Sequence, residues 1–281
     1  MSDTMTPVPR PYLLQKLPPA APQSPLLAHA RNVTSQRGED GIVERIFALI
    51  PPQSRWCVEC GAWDGRTFSN TWNLIHRHGW SAGLIEGDPA RYAMLAREVQ
   101  LTPAVRCLER WVEMDGPHRL DALLAEIGVP ADFDFLSIDV DGIDYFIWES
   151  LQQYRPTLVV VEFNPTVPND VRFVQARDRQ VNQGCSLLAL VELGRRKGYE
   201  LVCCTGWNAF FVVAEQAHAL GVTDRRLEKL FVPLMDGRIF HGYDGTVHVV
   251  GMDRLAWHGR PLSAADFQVL PATERRYPGP R

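Results

Sequence analysis

The feature that most constrains this chain is the stretch 133–164, in which two apolar runs, 133–138 and 157–163, flank a helix-sized segment. Each run ends in polar residues: Asp139, Asp141 and Asp144 follow the first, and Glu162 and Asn164 close the second. Near-continuous apolar strands suit a parallel sheet buried on both faces, and open parallel sheets place ligand sites just beyond their carboxyl ends. The function is therefore to be sought among those polar residues.

The rest of the chain repeats this grammar. A helical pattern through Ile42, Val43, Ile46 and Phe47 follows Ser35-Gln-Arg-Gly-Glu39-Asp40, with Ser35 as the expected N-cap. A short strand at 56–60 then leads into Glu59-Cys-Gly61-Ala-Trp-Asp-Gly65, whose glycines allow a tight turn and close approach of the backbone to a ligand. The next strand, 80–85, ends in Glu86-Gly-Asp88-Pro89, and the proline suits the first turn of a helix. An acidic residue at the tip of a second strand, beyond a glycine turn, can accept from both hydroxyls of a ribose. A third strand is expected at 105–112, a helix at 118–127, a polar substrate loop at 172–183 and a helix after Ser186. Residues 199–204 and 209–213 read as a final hairpin.

The predicted fold class is thus α/β: a Rossmann-like, seven-stranded, mostly parallel sheet with helices on both faces and a small C-terminal β-rich appendage. Residues 1–30 are expected to form a proline-rich arm, 31–216 the main domain and 217–281 the β-rich extension, in which Asp236-Gly237 and Asp244-Gly245 mark tight turns. The arm offers Tyr12, Leu13 and Leu14 as anchors to a second subunit, so a homo-oligomer stays open.

Composition narrows the partners. A net charge of −4 supplies no basic field, which excludes nucleic acid and anionic lipid as favoured ligands and leaves a small-molecule or glycan acceptor. No apolar run approaches the roughly 18 residues of a membrane helix, so a cytoplasmic protein is expected. Cys57 and Cys60 match C-x-x-C, yet positions i and i+3 of a strand face opposite ways, and the six cysteines are expected to be free.

Taken together, Ser35-Gln-Arg-Gly-Glu39-Asp40, the segment from Val58 to Gly65, Leu84-Ile-Glu-Gly-Asp-Pro89, Leu136 to Gly142, Val160 to Asn164 and Asn208-Ala-Phe-Phe-Val212 resemble the class I S-adenosylmethionine-dependent methyltransferases, in particular the FkbM-like group. The resemblance covers residues 31–214. It implies that Gly61 and Gly65 line the methionine end of S-adenosyl-L-methionine, that Glu59 orders their loop, that Glu86 binds the ribose, that Trp111 lies near the adenine and that Asp139 also borders the donor. It implies O-methylation of a sugar, glycoside or related metabolite. Trp63 departs from the family, which has a smaller polar residue in this turn.

A hydroxyl acceptor must lose its proton as it attacks. Asp139 or His241 can serve as general base; alternatively Asp139, Glu162 and Asn164 offer hard oxygen ligands to Mg²⁺ or Mn²⁺. The same residues also admit a structural reading, with Asp141 and Asp144 capping the next helix and Glu162 and Asn164 stitching the turn before Pro165. Two other functions stay open: an NAD-dependent oxidoreductase, against which the Glu-x-Gly-x-x-x-Gly spacing and the final hairpin argue, and a non-catalytic Rossmann-like binding module.

Overall fold

The computed structural model describes residues 24–234 and 237–277. Seven strands, β1 (Trp56–Cys60), β2 (Ser81–Glu86), β3 (Val105–Glu109), β4 (Phe135–Ile138), β5 (Leu158–Glu162), β6 (Tyr199–Cys204) and β7 (Asn208–Val213), form one sheet in the order β3-β2-β1-β4-β5-β7-β6. The first five are parallel and β7 runs antiparallel between β5 and β6. The expected fold class is what the chain adopts. Every residue of β4 and β7 is buried, as are the four apolar residues of β5, because helices cover both faces.

The helix α1 (Glu39–Leu49) precedes β1, and α2 (Trp72–His78), α3 (Pro89–Val99), α4 (Leu120–Ile127), α5 (Asp144–Ser150) and α6 (Leu187–Arg196) connect successive strands from β1 to β6. Their ends are set locally. Asp88 caps α3, accepting from the backbone N–H groups of Ala90 and Arg91 ahead of Pro89, and Ser186 caps α6 through Ala189 N–H. Gly128 ends α4 at φ 77°. The expected cap of α1 is different: Gly38, at φ 99°, holds the N-cap position, and Ser35 sits upstream. There Ser35 donates from Oγ to Asp40 Oδ2 at 2.7 Å and accepts from Asp40 N–H at 3.1 Å. Asp40 also accepts from the N–H groups of Val33, Thr34 and Ser35, so the loop is wound around one buried carboxylate instead of ending in a simple cap.

Only residues 24–30 of the expected arm, 1–30, fall among the described residues. The reading at 1–23 lies outside the described residues, but from Ser24 the chain belongs to the main body: Ser24 Oγ donates to Val202 O at 2.8 Å and Leu26 is 1% exposed in the core. At the other end, β8 (Arg238–His241) and β9 (Val247–Val250) pair antiparallel around Gly245 at φ 85°, as the Asp244-Gly245 pair predicts. Asp236 lies outside the described residues, and residues 231–234 form no strand. The expected third strand stops at Glu109, level with Glu86, where its partner β2 ends. All six cysteines are free, and burial pushes the Cys57 and Cys60 thiols up, which leaves both unreactive. No described helix is long and apolar enough to cross a membrane.

Candidate functional site

The sheet order reverses between β1 and β4, and a cavity of about 560 Å³ opens beyond their carboxyl ends. This is where an open α/β sheet binds its ligand, and the size is that of a small-molecule site. Glu59, Gly61, Glu86, Trp111, Asp139 and Glu162 all line it.

The first wall is the loop after β1. Glu59, buried at 4% exposure, accepts from Ser69 Oγ at 2.6 Å, Asn70 N–H at 2.8 Å and Thr71 Oγ at 2.7 Å. It therefore ties the far side of the turn to the strand, as the resemblance implies. Gly61 has φ 80°, and a Cβ there would lie 1.8 Å from Asp139 O, so only glycine lets β1 and β4 close together at their tips. Gly65, at φ 79°, shapes the same turn and contacts Leu95 of α3, outside the cavity lining.

The second wall is the tip of β2. Glu86 is 3% exposed, and its two oxygens accept from Trp63 N–H and Asp88 N–H, each at 2.8 Å. A carboxylate has about four acceptor positions, so about two remain on this cavity-lining residue. Trp63 takes the left-handed conformation at φ 48°, where its side chain packs edge-on to Phe68 and under the Arg91 guanidinium. The unusual residue in the turn thus supplies an aromatic rim. Trp111 lies against Gly87, where an added Cβ would be 2.1 Å from its ring, and carries the Arg179 guanidinium 3.7 Å from its centroid.

The third wall is acidic. One oxygen each from Asp139, Asp141 and Glu162 lie within 4.8 Å of one another. Burial, then the neighbouring carboxylates Asp144 and Asp141, pushes Asp139 well above the ordinary aspartate range; burial and Asp139 do the same to Glu162. Asp144 is held at about 6 by burial, against the N–H groups of Val140 and Gly142 from which it accepts. It braces the loop rather than capping α5, whose N-cap is Ile143.

Two expected residues do not reach this wall. Asn164 accepts from Thr166 N–H at 2.9 Å and donates to Gln183 O at 2.8 Å, so its amide is spent on the turn and it does not line the cavity. Asp141, exposed and at φ 61°, brings its carboxylate to Asp139 and Glu162 where Asn164 was expected. His241 ends the exposed strand β8 and is absent from the cavity lining. The histidine that does border the cavity is His258, in the turn 256–259 of the C-terminal segment. That turn is clasped to the loop before α6 by Trp257 Nε1, which donates to Asn182 O at 2.9 Å.

Reading the strand ends also missed Trp207 and Asn208, which line the cavity from the turn into β7. The available signal was the acidic Glu39 of the opening motif: its Oε1 accepts from Thr205 Oγ at 2.6 Å and from Asn208 Nδ2 at 3.3 Å.

No protein-family model matches the chain, and no curated protein matches it in sequence. Among solved structures it is similar to a SAM dependent methyltransferase from Aquifex aeolicus, with 11% identity and a TM-score of 0.39, over 63% of this chain and 90% of that one. It is also similar to the N-terminal domain of EvdMO1 with SAH bound, with 11% identity and a TM-score of 0.43, over 64% of this chain and 82% of that one. Monomeric WbdD is a further match, with 13% identity and a TM-score of 0.39, over 66% of this chain and 42% of that one. Similarity of this degree carries no argument about activity, which has to be read from the chain's own sheet order and side chains.

Proposed function

We propose that the chain is an S-adenosylmethionine-dependent methyltransferase that transfers its methyl group to a hydroxyl of a sugar, glycoside or related small molecule. The observation that carries this reading is that Glu86, the Gly61 turn and Asp139 border one cavity at the switch point of the sheet. Glu86 has acceptor positions left for a ribose diol, and the Trp111 face suits an adenine once Arg179 shifts aside. The antiparallel β7 inside the sheet differs from the parallel six-stranded order of the dinucleotide-binding fold, which disfavours an oxidoreductase.

The donor brings a methyl group already activated on a sulfonium. The protein's work is to align the acceptor oxygen, exclude water and take one proton. The new O–C bond forms as the C–S bond breaks, and the hydroxyl proton passes to the acidic wall. Asp139, bordering the cavity just beyond β4, is the carboxylate assigned to that role, and it serves in its ionised form. The turn 256–259 and the loop around Asn182 close the acceptor side.

The donor set Asp139, Asp141 and Glu162 also fits Mg²⁺ or Mn²⁺, since three hard carboxylates within 4.8 Å repel one another until a cation or protons intervene. When bound, such a cation lowers the pKa of the acceptor hydroxyl.

Calorimetry with S-adenosylmethionine and with NAD tests the donor. Binding of the first and not the second is expected; the reverse would reject the proposal. Transfer of a labelled methyl group to a panel of glycosides then tests catalysis, and binding without transfer to any of them would favour a non-catalytic module.

A further inference from the structure

Three buried polar atoms on one side of the cavity have no hydrogen-bond partner: Glu162 Oε2, Trp207 Nε1 and Asn208 Oδ1. Their residues are neighbours by construction. Glu162 and Asn208 face each other across the β5–β7 ladder, and Trp207 precedes Asn208 in a turn fixed by Phe163 N–H donating to Trp207 O at 2.8 Å.

Asn208 Nδ2 donates to Glu39 Oε1 at 3.3 Å, which leaves Oδ1 as the atom without a partner. Asn208 is 6% exposed and borders the cavity, so solvent is a poor substitute for the missing partner. A fold that buries three such atoms together is prepared for a ligand.

The chemistry of the set selects the ligand. Two atoms accept and one donates. A cation satisfies both oxygens and leaves the indole N–H unmet; an anion meets the N–H and is repelled by Glu162. Two neighbouring hydroxyls meet all three, because each hydroxyl donates once and still accepts. We propose that Glu162, Trp207 and Asn208 form a subsite for a vicinal diol on the acceptor. One hydroxyl donates to Glu162; the other donates to Asn208 Oδ1 and accepts from Trp207 Nε1. Glu162 retains positions for the acidic wall, since a carboxylate accepts at about four.

The assignment of the reacting group rests on the methyl-transfer reading: the hydroxyl on Glu162, beside Asp139, is the one methylated, and its neighbour stays free. The acceptor is thus a polyol carrying adjacent hydroxyls, and the product a mono-ether of that diol.

The test uses the full chain labelled with ¹⁵N. Its eight tryptophans give separate indole signals, and Trp207→Phe assigns the one at issue. Methyl glycosides of glucose, galactose, mannose and xylose are titrated in turn, with and without S-adenosylhomocysteine. At least one is expected to move the Trp207 signal to saturation, and its deoxy analogue lacking one hydroxyl of the pair to bind about tenfold or more weakly. Asn208→Leu is expected to weaken binding similarly. Because Asn208 is buried, Trp207→Phe, which keeps a ring and loses the N–H, is measured beside it by glycoside calorimetry, with the same loss expected. The subsite is overturned if no glycoside moves the signal, or if both variants bind as the parent does. The donor reading fails separately, through absent binding of S-adenosylhomocysteine, and the glycoside titration on the unliganded chain decides the subsite either way.

Discussion

Glu86 Oε2 accepts a hydrogen bond from the backbone N–H of Trp63 at 2.8 Å, joining the tip of β2 to a left-handed residue in the turn after β1. One carboxylate therefore both shapes the glycine turn and faces the cavity that the turn encloses.

Replacing Glu86 with Ala removes that brace and a charge-assisted contact to a bound ribose. S-adenosylmethionine affinity is expected to fall by about 1.5–3 kcal/mol in calorimetry. Unchanged affinity would remove Glu86 from the donor site.

Gly61→Ala places a Cβ 1.8 Å from Asp139 O at a φ of 80°. The expected loss of stability is about 2–5 kcal/mol, from a left-handed penalty of about 1–2 and overpacking of about 1–3. Urea unfolding measures it, and a loss below about 1 kcal/mol would mean that the strand tips separate easily.

The acidic wall makes a prediction for metal binding. Mn²⁺ followed by electron paramagnetic resonance should bind the parent and Asn164→Ala, and should not bind Asp141→Asn or Glu162→Gln. Full transfer activity in excess EDTA would eliminate a required cation and leave Asp139 as the base.

Asp139, Asp144 and Glu162 set a pH dependence. Their folded-state pKa values are raised, so the folded chain holds protons that the unfolded chain has released. Stability without metal should therefore fall as pH rises from the ordinary aspartate range through about 6, the value at which Asp144 is held. Asp144 alone accounts for on the order of 3 kcal/mol across that window. Melting curves from pH 4 to pH 7 should show the decline, and Mn²⁺ should reverse it; a melting temperature that climbs over this range contradicts the assignment.

Leu26, 1% exposed, and the Ser24–Val202 hydrogen bond anchor the start of the described chain. Leu26→Ala should cost about 2–5 kcal/mol in urea unfolding. A neutral effect would return residues 24–30 to the arm that the prolines suggest.

Much of this architecture is legible because a parallel strand buried on both faces must be an unbroken apolar run. Val159, Val160 and Val161, or Leu84 and Ile85, admit few other placements, and the polar residue ending each run then marks the cavity side. Glu59, Glu86, Asp139 and Glu162 were readable on that ground. The choice between Asp141 and Asn164 was not, because it depends on a local φ of 61° and on Thr166 and Gln183 claiming the asparagine. Likewise nothing local separates His241 from His258; only the packing of Trp257 against the loop at Asn182 brings the latter to the cavity. Asn208 reads in sequence as the residue before a hairpin strand, and its meaning comes from register: an antiparallel strand inserted beside β5 makes it the partner of Glu162.

The clasp between Trp257 and Asn182 joins the loop before α6 to a segment synthesised after every strand of the large sheet. A chain cut between β9 and the turn 256–259 would retain the residues of every strand and lose one wall of the chamber, opening the reacting groups to bulk water.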